Sequence, residues 1–179
     1  MRIISGKYKG KHFGNIKKLK ARPTTDRAKE SLFNILNNIV DFENVKMLDL
    51  FSGTGSISYE FASRGCDSVT CIDRDFNHIR FIKKTSDELD LGLNVIKADV
   101  FKFLKASSNK YDIIFADPPF DMENFEDIPK LIKQGNFLLE DGLLIVEHSD
   151  KFIFKETQPE ETRAYGKVCF SFFRFNKVN

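Results

Sequence analysis

The sequence predicts an α/β fold built on a mostly parallel, doubly wound sheet, and three observations carry that reading. Between residues 45 and 149, apolar runs of strand length alternate with segments whose apolar residues recur at helical spacing. The runs are continuous rather than alternating, as in VKMLDLF (45–51), KYDIIFAD (110–117) and GLLIVEHS (142–149), which marks strands covered on both faces. The last run, KVCFSFFRF (167–175), has no helix after it and follows a shorter run at 161–165 across a turn at Tyr165–Gly166. Two such strands form a hairpin, so one of them lies antiparallel to its neighbours.

The elements follow in order. RIISGKYKGKHFG (2–14) mixes β-formers with glycine and predicts a short hairpin or edge pair. RPTT (22–25) is a turn, and Thr25 or Asp26 caps a helix over 26–40, where Ala28, Leu32, Ile35, Leu36 and Ile39 share one face. The first buried strand, 45–51, leads through SGTGS into a helix at 56–65. A strand at 68–73 is followed by a helix from about Asn77 to Leu89, and a strand at 93–99 by a short helix at 100–106. The strand at 110–117 ends in two prolines, a helix follows at about 124–134, and the fifth strand covers 142–149. Sequential strands joined by helical crossovers run parallel.

Hydrophobic residues make up 41% and charged residues 30% of 179, the balance of a soluble globular chain with enough length for one core. No apolar run approaches membrane-spanning length, and the N-terminus lacks the apolar centre of a signal peptide. Cys66, Cys71 and Cys169 form no C-x-x-C pair and read as reduced thiols of a cytoplasmic protein. His12, His78 and His148 show no metal spacing, so no metal is expected. Net charge is +2, unevenly placed: residues 1–22 hold eight basic groups and no acid, leaving 20 basic against 26 acidic groups, a net −6, in the rest. A basic arm on an acidic body is a footprint for polyanions, with Lys7, Lys9, Lys11 and Arg22 as candidate phosphate contacts. The plainer reading of this arm is a solvated terminus.

LDLFSGTGS (48–56) joins the first strand to its helix. Gly53 and Gly55 let backbone approach a ligand, and the helix N-terminus faces the same crevice. Asp73 stands 20 residues after Gly53, at the end of the second strand, where a carboxylate reaches a ribose diol. Three readings compete: a tight turn without ligand, a dinucleotide site, and an S-adenosylmethionine site. Ser58 replaces the third glycine of G-x-G-x-x-G, which weakens the dinucleotide reading. Asp49, an acid inside an apolar strand, is costly unless partnered; it offers a carboxylate to the ammonium of S-adenosylmethionine or a hydrogen bond to the loop backbone. Phe51, closing that strand, joins the candidate cofactor contacts. Asp99 is either an acceptor for the adenine amine, with Val100 against the ring, or the N-cap of the helix at 100–106.

The stretch A-D-P-P-F (116–120) raises a different chemistry. In an open parallel sheet the first and fourth strands flank the reversal of strand order, and ligands bind there. The Asp117–Phe120 elbow should therefore face the glycine loop. An exocyclic amine of a nucleobase is a poor nucleophile because its lone pair is delocalised into the ring. The Asp117 carboxylate and the Pro118 carbonyl, fixed by Pro118 and Pro119, are placed to accept the amine hydrogens and free that pair. Phe120 offers a face for stacking. A cytosine-C5 mechanism needs a cysteine in the elbow, and none is there.

D-P-P-F resembles the [DNS]-P-P-[FYW] motif of amino-group methyltransferases, and D-L-F-S-G-T-G-S resembles their cofactor loop. Over roughly residues 2–176 the chain is similar to bacterial RsmD-type enzymes, which methylate the N2 amine of a guanine in 16S ribosomal RNA. The resemblance is carried by R-I-I-S-G-K-Y-K-G (2–10), R-P-T-T-D-R-A-K-E-S-L-F-N-I-L (22–36), the loop at 49–55, D-P-P-F (117–120) and V-E-H-S (146–149); Ser5 replaces the second glycine of the family's R-I-I-G-G. It implies a Rossmann-like seven-stranded methyltransferase fold, with a basic arm at 1–22 and a catalytic core at 23–179 in one domain. It further implies that Asp49, Gly53, Gly55, Asp73 and Asp99 line an S-adenosylmethionine site, that Asp117 to Phe120 hold the base, and that the Arg22–Thr24 segment lies near cofactor or target. For Arg22–Thr24 a turn with a helix cap is the alternative, and for Glu147 and His148 a structural role is favoured. The implied partner is 16S rRNA, within a partly or fully assembled small subunit, with no membrane. An adenine-N6 methyltransferase on RNA or DNA, a protein-glutamine methyltransferase, an NAD(P) oxidoreductase and a non-catalytic RNA-binding module are the competing readings.

Overall fold

The computed structural model describes residues 1–13, 26–119 and 121–175. Arg22, Thr24 and Phe120, three of the candidate site residues, lie outside the described residues.

The elements are α1 (Asp26–Leu36), β1 (Lys46–Leu50), α2 (Ser56–Ser63), β2 (Ser68–Asp73), α3 (Phe76–Glu88), β3 (Asn94–Lys97), α4 (Val100–Ala106), β4 (Tyr111–Ala116), α5 (Asp127–Gln134), β5 (Leu138–Ser149), β6 (Glu161–Tyr165) and β7 (Val168–Phe173). They build one seven-stranded sheet in the order β3-β2-β1-β4-β5-β7-β6. β1 to β5 pair in parallel, and β7 runs antiparallel to both β5 and β6. β1 and β4 are neighbours at the point where strand order reverses, so their carboxyl ends flank the crevice in which open α/β sheets bind ligands.

The continuous apolar strands are explained by two cores. Met47, Phe115 and Ile145 face one layer with Leu32 and Phe33 of α1 and Tyr59 and Phe61 of α2, whereas Leu48, Ile114 and Leu144 face the other with Leu104 of α4 and Ile128 of α5. Successive side chains of a strand point to opposite faces, so a strand buried on both sides shows no polar alternation.

Three boundaries differ from the sequence reading. α1 stops at Leu36, and the chain turns through Asn37 and Asn38 instead of continuing to residue 40; asparagine favours such ends by bonding backbone locally, as Asn38 does to the Asn34 carbonyl (3.0 Å). β5 begins at Leu138, ahead of Gly142, because Asp141 takes a left-handed φ of 57° and the register with β4 shifts between Tyr111 and Ile113.

The N-terminal segment is the third. It doubles back, but with one isolated antiparallel bridge, Arg2 to His12, rather than a strand ladder. Ile3, Gly10 and Phe13 N–H groups bond back across it to the Lys11, Ile3 and Met1 carbonyls, while other amides go to α2. The Glu60 carboxylate accepts from the N–H groups of Ile4 (2.8 Å) and Ser5 (3.0 Å), and the Ser63 carbonyl accepts from Lys7 N–H (2.7 Å). Gly6, at φ 82°, lies so close to α2 that a Cβ would stand 1.8 Å from the Ser63 carbonyl oxygen. Glu60 also receives two guanidinium bonds from Arg64 (3.1 and 2.8 Å), and fully buried Lys29 sits 3.7 Å from it while donating to the Arg2 carbonyl (2.6 Å). Burial holds the Lys29 ammonium below its usual range, opposed by the Glu60 charge. Residues 2–8 are therefore clamped along α2 by buried charge.

Candidate active site

One cavity of about 560 Å³ opens at the carboxyl ends of β1, β2 and β4. Its wall includes Asp49, Phe51, Gly53, Asp73, Asp99, Val100, Asp117, Pro118 and Pro119. The glycine loop and the double-proline elbow thus share one chamber. The link is direct in the backbone, where Asp117 N–H reaches the Leu50 carbonyl at 3.4 Å.

Asp73 organises the cofactor end. Its Oδ2 accepts from Gly53 N–H (2.7 Å) and lies 3.2 Å from His78 Nδ1, while Oδ1 accepts from Asp75 N–H (2.8 Å). The 20-residue spacing read in the sequence is this contact. Gly55 stands at φ 79°, and a Cβ there would meet the Tyr59 ring at 2.8 Å, so only glycine fits the turn into α2. Gly55 is not itself in the cavity wall. Phe51 also adopts a left-handed φ, 63°. For a bulky residue that conformation costs about 1–3 kcal/mol and concentrates at functional sites.

Asp49 is 2% exposed. Its carboxylate accepts from Ser58 Oγ at 2.5 Å rather than from the loop backbone, and Ser58 in turn accepts from Cys71 Sγ (3.1 Å). Burial pushes the Asp49 carboxyl up to about 7; the Ser58 bond pulls it back, and the nearby Asp73 charge adds to the rise. Near neutrality it is poised to become a full carboxylate when a cation arrives. Ser58, read in the sequence only as a missing glycine, is the group that makes this acid tolerable. Asp99 lines the cavity and caps α4, accepting from Lys102 N–H at 3.0 Å, so both alternatives raised for it are compatible.

His78 is one of the cavity residues that sequence reasoning missed, with Arg74, Asp75, Asp121 and Met122 among the others. Metal spacing does not mark it, and the signal available was helix position: Asp75 caps α3, which puts His78 in its first turn, facing back to Asp73. The Asp73 hydrogen bond raises the His78 pKa above its ordinary value, against burial. A raised imidazole pKa stabilises the fold fully below the unfolded value and ceases to do so as pH rises through the folded one. We expect the melting-temperature advantage of the wild-type protein over His78→Asn to shrink between pH 6 and pH 8.5. Thermal melts that stay parallel across that range would remove the imidazolium–Asp73 contact.

At the elbow end, Glu147 of β5 joins the wall and is 4% exposed. His148 beside it is held by the sheet: Nδ1–H donates to the Ser149 carbonyl (2.9 Å) and Nε2 accepts from Ser171 Oγ (2.8 Å), which lies 2.7 Å from Thr162 Oγ1. Burial lowers the His148 pKa, keeping the ring neutral. Lys7, Lys9 and Lys11 are exposed and are not in the cavity wall. Their turn packs at Ser63, the far end of α2 from the glycine loop, about 12 Å along the helix axis. Among the described residues no group of three or more His, Cys, Asp or Glu could hold a metal ion, and no helix is long and apolar enough to cross a membrane.

Comparison with known proteins places this geometry. Residues 1–174 match the family model described as Conserved hypothetical protein 95. The chain is 36% identical over 154 residues to the ribosomal RNA small subunit methyltransferase D of Buchnera aphidicola subsp. Baizongia pistaciae, covering 84% of this chain and 76% of that one. It is 30% identical over 148 residues to the protein of the same name in Escherichia coli K12, covering 82% and 74%. The solved structure of a hypothetical protein from Thermus thermophilus shares the fold, with a TM-score of 0.86 over 97% of this chain and 98% of that one at 23% identity. With nearly its whole length matched and the glycine loop and elbow in one chamber, the chain belongs to the RsmD-type family.

Proposed function

We propose that this chain is an S-adenosylmethionine-dependent methyltransferase that modifies the exocyclic N2 amine of a guanine in 16S ribosomal RNA, acting in the cytoplasm on a partly or fully assembled small subunit. The observation that carries it is the single cavity bounded at one end by Gly53 and Asp73 and at the other by Asp117, Pro118 and Pro119. The names carried by its relatives, ribosomal RNA small subunit methyltransferase D, agree.

The residues present fit the cofactor. Asp73, pinned by two backbone N–H groups, offers acceptors to a ribose diol. Asp99 and Val100 line the same cavity and would contact the adenine, and buried Asp49 would offer a carboxylate to an ammonium. S-adenosylmethionine, when bound, supplies an electrophilic methyl group on a sulfonium.

The chain's own residues do the rest. The Asp117 carboxylate and the Pro118 carbonyl accept the hydrogens of the target amine, turning its lone pair out of the ring. As positive charge grows on the nitrogen, the fixed carboxylate stabilises it without reorganising. Holding the amine in line with the methyl supplies much of the remainder. Phe120 would stack on the base. The base must leave its own stack to enter the cavity. Lys7, Lys9 and Lys11 would hold phosphates, and Arg22 and Thr24 remain candidate RNA contacts. Because the lysine turn lies at the far end of α2, the RNA it touches lies away from the target nucleotide. One domain, residues 1–179, carries arm and core together.

The test is methyl transfer from labelled S-adenosylmethionine to naked 16S rRNA and to small subunits, followed by nucleoside analysis. Label in N2-methylguanosine is expected. Label on adenine alone would replace guanine by adenine as the target. Binding of a nicotinamide nucleotide without S-adenosylmethionine binding would overturn the methyltransferase reading.

A further inference from the structure

We propose that Glu147 selects guanine over the other amine-bearing bases, its carboxylate accepting the N1–H that lies next to the target amine; this rests on the function proposed above. The double-proline elbow cannot make that choice, because adenine, cytosine and guanine all carry an exocyclic amine. Their edges differ at the neighbouring ring nitrogen. In adenine that nitrogen (N1) and in cytosine its counterpart (N3) carry lone pairs, whereas in guanine N1 carries a hydrogen. A carboxylate beside the amine site is attracted to guanine and repelled by the other two.

The sheet puts Glu147 in that place. Ala116, the last residue of β4, pairs with Val146 of β5, so Asp117 leaves the end of β4 beside Glu147, about 5 Å across the sheet at the spacing of neighbouring strands. Phe115 and Ile145 face one core layer, and the alternation along β5 puts Glu147 on that same face, toward the cavity that Asp117 enters from the end of β4. Both line the cavity. One carboxylate is thus placed for N2 and the other for the adjoining N1.

Rigidity and dryness make the contact selective. β5 is locked on its far side by the Ser149–His148–Ser171–Thr162 hydrogen-bond chain that spans β5, β7 and β6. At 4% exposure, Glu147 has little water with which to replace a missing base hydrogen, and sites built to receive an N–H reject analogues that lack it.

The experiment compares guanine with 2-aminopurine at the nucleotide mapped by the methyl-transfer assay. 2-Aminopurine keeps the N2 amine but presents a lone pair at N1. Wild-type protein should transfer methyl to the 2-aminopurine RNA at least about 100-fold more slowly than to guanine. Glu147→Gln, whose amide can donate to N1 as well as accept from it, should narrow that ratio by about 10–100-fold, mainly by slowing guanine, with S-adenosylmethionine affinity unchanged. Equal rates on both RNAs with the wild-type protein would overturn the proposal, and that comparison does not depend on the variant folding. So would a Glu147→Gln ratio identical to wild type, or a loss of cofactor binding in parallel with activity. If no RNA acquires N2-methylguanosine at all, the failure lies in the proposed function.

Discussion

Replacing Asp117 by alanine is expected to lower kcat for methyl transfer by about 100–1,000-fold, the usual cost of deleting one group aimed at developing charge. The dissociation constant of S-adenosylmethionine should stay within about twofold, since the interaction is made with the reacting amine rather than with the cofactor. The geometry explains the separation. Asp117 closes the end of the chamber formed by β4, while Asp73 and Asp99, the proposed ribose and adenine contacts, stand at the end of β2 and just past β3. Those strands lie on the other side of β1 from β4. Steady-state kinetics together with calorimetric titration of the cofactor would read both quantities. A variant that loses affinity and turnover in proportion would show that Asp117 holds the loop rather than the base.

Asp73→Ala should do the opposite. Its carboxylate would hold a ribose diol through two hydrogen bonds to a charged acceptor, and together these amount to about 3 kcal/mol or more, so affinity should fall by about 100-fold or more. kcat at saturating cofactor should change little. The change reaches further than the ligand: the Gly53 and Asp75 amides, now held at 2.7 and 2.8 Å, lose their acceptor, and His78 loses its partner. A lower melting temperature should accompany the weaker binding, and Asp73→Asn should recover part of both. Unchanged cofactor affinity in the alanine variant would remove Asp73 from the cofactor site.

What could be read from the sequence, and what could not, divides along physical lines. Strands β1, β4 and β5 were legible because burial on both faces leaves an uninterrupted apolar signature, and the antiparallel hairpin was legible because no crossover helix separates its two strands. The facing of loop and elbow followed from strand order alone. The clamp on the N-terminal segment was not legible, since the acceptor that replaces a strand partner is Glu60, more than fifty residues away in the chain. Local pattern predicted a ladder; the segment folds back with a few bonds across it, and a distant buried carboxylate took the Ile4 and Ser5 amides. Asp141 was equally silent, because only the fold reveals that its φ turns left-handed and lets β5 start early. In the site, Asp73 and Asp117 were visible through their spacing and position at strand ends. His78 was not, because a histidine in a first helical turn acquires meaning only from the carboxylate it faces. Ser58 was noticed for what it displaced and not for the hydroxyl it supplies to Asp49.

The position of β7 between β5 and β6 has a consequence for biosynthesis. The chain makes β6 before β7, yet β6 bonds only to β7. As the polypeptide emerges from the translating ribosome, the edge of β5 from Leu144 to Ser149 stays open until the last strand is released and slides between its two predecessors. During that interval the nascent protein exposes a flat apolar border of the kind that recruits other strands. Chaperone dependence should therefore concentrate in the interval before residues 168–173 are released, and premature termination within 168–173 should yield aggregates rather than a smaller folded core.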